Sequence, residues 1–233
     1  LKSQFELAFK NFKYYYPEFK EPRIETVITG MEADLFVSDS VIVVGLDHFI
    51  GPDAKYQLNH LYEYLRRKYN KDFIVPSAML LYGIDEKYNS FNPSDQTILA
   101  EMISYGKAYY FAKRMVPCAP DSILIAYTAE EMQGSRDYES LIWSRLIEDQ
   151  VLFSTSREEK KKYILERPKT YEVGEKCPGR IGQWVGWQIV NSYSESHPEQ
   201  DLKTIMGNSD AAKIFEQSGY KPQIVQLNKG KRI

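Results

Sequence analysis

The side chains that could do chemistry are few and scattered: the three histidines are His48, His60 and His197, and the two cysteines are Cys118 and Cys177. A zincin-type metalloprotease needs two histidines one helical turn apart to bind zinc, with a glutamate between them to activate water. No HExxH occurs, nor does a G-x-S-x-G elbow, a phosphate-binding loop or a dinucleotide glycine fingerprint. The nearest substitute is His60-Leu61-Tyr62-Glu63, which puts an imidazole and a carboxylate at i, i+3 on one helix face. Such a pair can share a metal or form a surface hydrogen bond, and it makes His60 and Glu63 the weak metal candidates. His48 follows a strand-like run and precedes Gly51-Pro52, a loop setting that often carries function.

A second group of residues lies on one long helix, Thr97 to Phe111. Glu101, Tyr105, Ala108 and Ala112 fall on one stripe of it, and Met102, Ile103, Gly106 and Tyr110 on the next. A glycine inside a helix costs about 1 kcal/mol relative to alanine, so Gly106 points to another backbone close by. Downstream, Gly179, Gly182 and Gly186 at i, i+3 and i+7 form a smooth helix face, with Trp184 and Trp187 turned elsewhere. Two glycine-bearing helices packed at short distance would either optimise a core or shape a cleft. The candidate cleft residues are Glu101, Tyr105, Tyr109, Gly182 and Gly186, with His48 nearby.

The elements that must position these groups can be read from periodicity. Residues 1 to 16 form an amphipathic helix through Phe5, Phe9 and Phe12. Three β-like runs follow, Ile24 to Thr29, Ala33 to Val37 and Val41 to Leu46, and predict a small antiparallel sheet at about 24–46. From Asp53 the pattern turns helical, with Tyr56, Leu58, Leu61, Tyr62 and Leu65 on one side and Arg66, Arg67 and Lys68 closing it. A short helix follows Pro76, and the long helix runs from about Ser94 to about Met115. Thr128-Ala129-Glu130-Glu131 is a capping box opening a helix through Leu152. Helices over Ser156 to Glu166, Arg180 to Tyr193, Asp201 to Gly207 and Asp210 to Ser218 complete a mostly α-helical α+β chain, read as one domain with its helical part at about 53–220.

Bulk composition narrows the function. The chain has 233 residues, with 30 basic against 32 acidic side chains, so no general field draws it to nucleic acid or an anionic membrane. No apolar run approaches the roughly 18 residues of a membrane span. The 18 tyrosines and 11 phenylalanines exceed what a core of this size needs, and surplus aromatics favour cleft rims and interfaces. A start at Leu1 without methionine suggests a removed leader. Cys118 and Cys177, each beside proline, are compatible with one disulfide or two free thiols.

Several stretches in order resemble one family. They are Asp47-His48-Phe49-Ile50-Gly51-Pro52-Asp53-Ala54-Lys55-Tyr56; Glu101-Met102-Ile103 with Gly106-Lys107-Ala108 and Tyr110-Phe111; Tyr127-Thr128; Gly179-Arg180-Ile181-Gly182 leading into Gly186-Trp187-Gln188-Ile189-Val190; and Tyr220-Lys221-Pro222. From about Thr26 to Pro222 the chain resembles the gliding motility-associated lipoprotein family GldB of Bacteroidetes. The resemblance implies a lipid-anchored protein of the cell envelope, facing the periplasm, whose partners belong to gliding or related machinery. It also implies a zincin-like, gluzincin-type scaffold in which the long helix supplies a glutamate as third zinc ligand just before its glycine. Here that position is Tyr105, and residues 76–88 contain no histidine. A phenol with a pKa near ~10 is a poor zinc ligand at neutral pH. The expectation is a pseudoenzyme without catalytic residues or cofactor that binds an envelope protein. A metal-dependent hydrolase using His48, His60, Glu63 and Glu101, and a binder of cell-wall glycans or peptides, are the alternatives.

Overall fold

The computed structural model describes residues 1–51, 53–56, 58 and 61–222. The chain is α+β, about half helical, with one small sheet. Its contacts divide it into two compact units: residues 1–85 with 111–126, and 86–110 with the described residues from 127 onward.

In the first unit, helix α1 (Lys2–Tyr15) buries Phe5, Ala8, Phe9 and Phe12, an i, i+3, i+4, i+7 stripe. Phe12 is the hub: its ring stacks on Phe19 with centroids 3.8 Å apart and meets the edges of Tyr82 and Phe111 at 5.3 and 5.1 Å. Strands β1 (Arg23–Val27), β2 (Leu35–Val37) and β3 (Val41–Gly45) form a sheet in the order β1-β3-β2. The sheet is mixed rather than antiparallel, because β1 runs parallel to β3 while β2 runs antiparallel to it. The longest apolar run takes the central place, where Ile42 and Val44 are fully buried, while the polar β1 and the three-residue β2 take the edges. Alternation identifies which side chains face the core but not the direction of the neighbouring strand.

The helix expected from Asp53 shrinks to a single turn, α2 (Glu63–Arg66), and residues 53–56 are turn and bends. Tyr56 and Tyr62, two members of its apolar stripe, are 69% and 75% exposed although Leu58 is buried, so the stripe gives no continuous buried face to support a longer helix. A 3₁₀ turn (Lys71–Phe73) leads into α3 (Ile74–Ile84). Pro76 sits in the first turn of α3, where its missing N–H removes no helical bond. The unit also holds the last residues of α4 (Ile98–Met115), where Asn11 Nδ2 donates to the Met115 carbonyl at 2.9 Å, and α5 (Asp121–Ile125).

The second unit starts with residues 98–110 of α4. The capping box forms: Glu131 N–H donates to Thr128 Oγ1 at 3.0 Å, and Thr128 N–H donates to Glu131 Oε2 at 2.9 Å. The helix it opens breaks at Tyr138 into α6 (Ala129–Asp137) and α7 (Glu139–Glu148), instead of continuing to Leu152. Helices α8 (Arg157–Tyr163), α9 (Ile181–Ser196), α10 (Leu202–Gly207) and α11 (Ala211–Ser218) follow, each but α9 opened by a Ser or Asp side-chain cap. Helix α9 is the core element, buried on nearly every side from Ile181 to Val190.

Helices α4 and α9 meet backbone to backbone. A Cβ on Gly106 would stand 2.2 Å from the Gly186 carbonyl oxygen, and one on Gly186 would stand 1.8 Å from that of Met102. One residue beyond Gly106, the buried Lys107 ammonium donates to the carbonyls of Ser90 (2.5 Å), Asn208 (2.8 Å) and Met206 (3.2 Å). It thereby satisfies carbonyls at the C-terminus of α10, which have no helical partner. Burial pushes the ammonium down to about 8.

Two stability predictions follow from these contacts. Gly186→Ala is expected to destabilise by about 3 kcal/mol or more in denaturant unfolding, because the helices must separate. Gly134→Ala, with nothing within 4 Å of the new methyl, should stabilise by about 0.5–1 kcal/mol. Lys107 should leave a pH signature. The unfolded chain keeps this proton up to 10.5 while the folded chain releases it near 8, so the unfolded state binds more protons in that window and stability rises with pH across it. Lys107→Met should flatten that rise.

Candidate functional site

The second unit gathers a cluster that sequence reasoning saw only in part. Glu101, Tyr105 and Tyr109 stand on successive turns of α4, and across from them is Arg180, the residue before α9. The loop before α9 fixes Arg180 tightly. Thr170 N–H donates to the Cys177 carbonyl at 3.0 Å, Thr170 Oγ1 donates to the Pro178 carbonyl at 2.8 Å, and Tyr127 donates its hydroxyl to the Gly179 carbonyl at 2.6 Å. A Cβ at Gly179 would stand 1.8 Å from the Arg167 carbonyl oxygen, so only glycine fits there. Arg180 itself adopts φ 60°, a left-handed conformation that a side chain rarely takes.

That backbone turns the guanidinium into a tyrosine-walled niche, with the side chain only 14% exposed. It lies 5.7 Å from the centre of the Tyr127 ring, donates to the Tyr109 phenol oxygen, and has Nε 3.4 Å from Glu166 Oε1. Tyr109 passes the chain of hydrogen bonds on: its hydroxyl donates to Gln183 Oε1 at 2.6 Å, and Gln183 Nε2 donates to the Ile164 carbonyl at 2.8 Å. Its ring stacks with Trp187 at 5.2 Å.

The electrostatics follow from this enclosure. Burial works against the Arg180 cation, but Tyr109, Glu166 and Tyr127 outweigh it and hold the group above its ordinary pKa. Burial pushes the Tyr109 phenol up to about 12, partly opposed by Arg180, and pushes Tyr127 well above the usual range. Tyr105 is raised by burial and by the Glu101 carboxylate, again against Arg180. Glu101 is not a free carboxylate, since Lys160 of α8 meets it at 2.6 Å. The cluster is therefore a cation held by neutral phenols and paired with Glu166, flanked by the Lys160–Glu101 ion pair. Arg180, Tyr127, Gln183, Glu166 and Lys160 were not among the sequence candidates. The one signal for them was Gly-Arg directly before an apolar helix, with no Ser, Thr, Asp or Asn to cap it.

The remaining candidates divide between the units. Gly182 and Gly186 face backbone and core: a Cβ on Gly182 would stand 2.8 Å from Ile164 Cδ1 and 2.9 Å from the Tyr163 carbonyl oxygen. His48 belongs to the first unit. It is 6% exposed, its ring meets the Tyr69 edge at 5.3 Å, and neither ring nitrogen has a hydrogen-bond partner. Its neighbour Asp47 accepts from Met31 N–H at 2.7 Å and from Thr29 N–H at 3.1 Å, across the turn where Gly30 and Met31 have positive φ. Burial would raise this carboxyl, but those amide donors hold it below its ordinary pKa. Glu63 is exposed on α2, and His60 lies outside the described residues. Among the described residues, no group of three or more His, Cys, Asp and Glu side chains could hold a metal. Both cysteines are free. Cys177 is buried, which pushes its thiol up to about 12, and Cys118 is exposed beside an apolar groove of about 360 Å³ in the first unit, lined by Leu7, Val75, Met115 and Ile123.

The buried phenols predict an alkaline liability. Tyr109 keeps its proton in the folded state to about 12 but loses it near 10 when unfolded, so stability falls as pH rises through that interval. Tyr109→Phe should lessen the fall above pH 10 while costing about 1–3 kcal/mol at neutral pH, since it leaves Gln183 Oε1 without its donor. Urea unfolding at pH 7 and pH 11 measures both effects.

No curated protein and no solved structure matches the chain. A family model described as gliding motility protein GldB matches residues 1–222, nearly the whole chain, and takes in Glu101, Tyr105, Tyr109 and Arg180. The chain therefore belongs to the gliding motility protein GldB family, a family of lipoproteins.

Proposed function

We propose that this protein is a non-catalytic part of the gliding machinery or of related envelope machinery. In this reading it is held at the membrane by an N-terminal lipid, faces the periplasm, and works by binding a protein partner rather than by turning over a substrate. The family it belongs to supports the setting. The reading without chemistry is supported above all by the Arg180 guanidinium set among Tyr105, Tyr109 and Tyr127.

A zincin-like scaffold would imply zinc, and the residues present do not fit it. A zinc site gathers neutral imidazoles, thiolates and carboxylates. Here Tyr105 stands where the resemblance places the glutamate, its phenol is held protonated, and Glu101 is engaged by Lys160. A divalent ion among these groups would meet the Arg180 cation in a site that screens charge poorly. The same groups suit recognition better, because the buried Tyr109 and Tyr127, with Arg180, hold the partly exposed Tyr105 and Glu101 rigidly, so that these two can offer a ring face and hydrogen bonds at low entropic cost.

Metal analysis of the purified protein tests this reading. Zinc is expected well below one equivalent, with Glu101→Gln leaving metal content unchanged. One equivalent of zinc that disappears in Glu101→Gln would overturn it in favour of a hydrolase.

A further inference from the structure

The two edges of the small sheet are treated differently. On the β2 side, α3 packs against the strand, and its Tyr82 hydroxyl donates to the Ser38 carbonyl at 2.9 Å. On the β1 side nothing comparable is present among the described residues: Arg23, Glu25, Thr26 and Val27 are all exposed, and Ile28, the next residue, is 83% exposed. In a parallel ladder only alternate residues bond to a given neighbour. Arg23 N–H donates to the Ser40 carbonyl and the Val27 carbonyl accepts from Leu46 N–H, so Arg23, Glu25 and Val27 face β3. The main-chain groups of Ile24 and Thr26 therefore point outward. Of the usual protections of an open edge, Ile24 to Thr29 carries neither lysine nor proline nor bulge, and Glu25 is its one charge. The solvent face of the sheet adds apolar surface, with Phe36 59% and Val27 38% exposed.

We propose that this edge is a self-association surface, on which β1 of a second copy pairs antiparallel with Thr26 opposite Thr26. The register follows from the sequence of the strand. Centred on Thr26, it sets Ile24 against Ile28 of the second copy, covering the most exposed isoleucine among the described residues, and Glu25 against Val27, so no like charges face each other. A Thr–Thr pair at the centre is favourable in antiparallel pairing. Centring on Glu25 would oppose two carboxylates, and centring on Ile24 would bring Pro22, which has no N–H, against Thr26. The product is one continuous sheet in the order β2-β3-β1-β1-β3-β2. Strands this short bury little area, so the dimer is a weak one whose population rises with concentration.

Sedimentation velocity over a concentration series tests the proposal. The wild-type chain is expected to move from monomer mass toward twice that mass. Thr26→Pro removes an outward N–H without touching the bonds to β3, and it should hold the protein at monomer mass with an unchanged circular dichroism spectrum. Ile28→Lys at a solvent-exposed position should do the same, and it keeps the test valid if the proline variant fails to fold. A wild-type chain that stays monomeric throughout overturns the proposal. So does a dimer that survives both substitutions, or one blocked by Ile28→Lys but not by a folded Thr26→Pro, which would indicate an apolar patch rather than a paired strand.

Discussion

The second unit depends on a single close approach, that of α4 to α9 at Gly106 and Gly186. With both Cβ atoms absent, the two main chains come within van der Waals contact, which sets the spacing of the side chains on the facing turns. Tyr109 and Gln183, one turn along from those glycines, reach each other at 2.6 Å only because of it. Lys107 reaches its three carbonyls from the same stretch of helix. The glycines thus serve the site indirectly, by setting the distance over which the polar side chains must work.

A buried arginine is tolerated here because its neighbours each satisfy a different part of it. Glu166 supplies the opposite charge, Tyr127 offers the face of its ring and Tyr109 an oxygen, while the left-handed backbone at Arg180 aims the guanidinium at all three. Strain at one residue is held in place by a loop whose carbonyls are themselves taken by Thr170 and Tyr127. The result is a stiff polar interior, a sound scaffold for recognition and a poor one for gathering metal ligands.

Much of the helical framework was legible from periodicity and caps. The Thr128 capping box, the aspartates opening α10 and α11, and the Phe5 to Phe12 stripe all act locally, and local signals survive in a single sequence. The close helix contact was legible too, because Gly106 had a matching glycine face at Gly182 and Gly186, whereas the lone helical Gly134 meets nothing within 4 Å. What stayed hidden was non-local. The parallel pairing of β1 with β3 depends on chain path rather than alternation, and of the apolar residues after Asp53 Leu58 is buried while Tyr56 and Tyr62 are left exposed. Arg180 was quoted within a motif but given no role, since its importance comes from a backbone dihedral and from tyrosines far away in sequence.

One further consequence lies in the two cysteines. Cys118 is open to solvent while Cys177 is enclosed, and its thiol is held almost wholly protonated at neutral pH. The native protein thus presents one reactive sulfur to an alkylating reagent, and the second becomes available only when the loop around Thr170 comes apart. Counting labelled thiols would then report, chain by chain, whether that loop is closed around Arg180, with no change to the sequence.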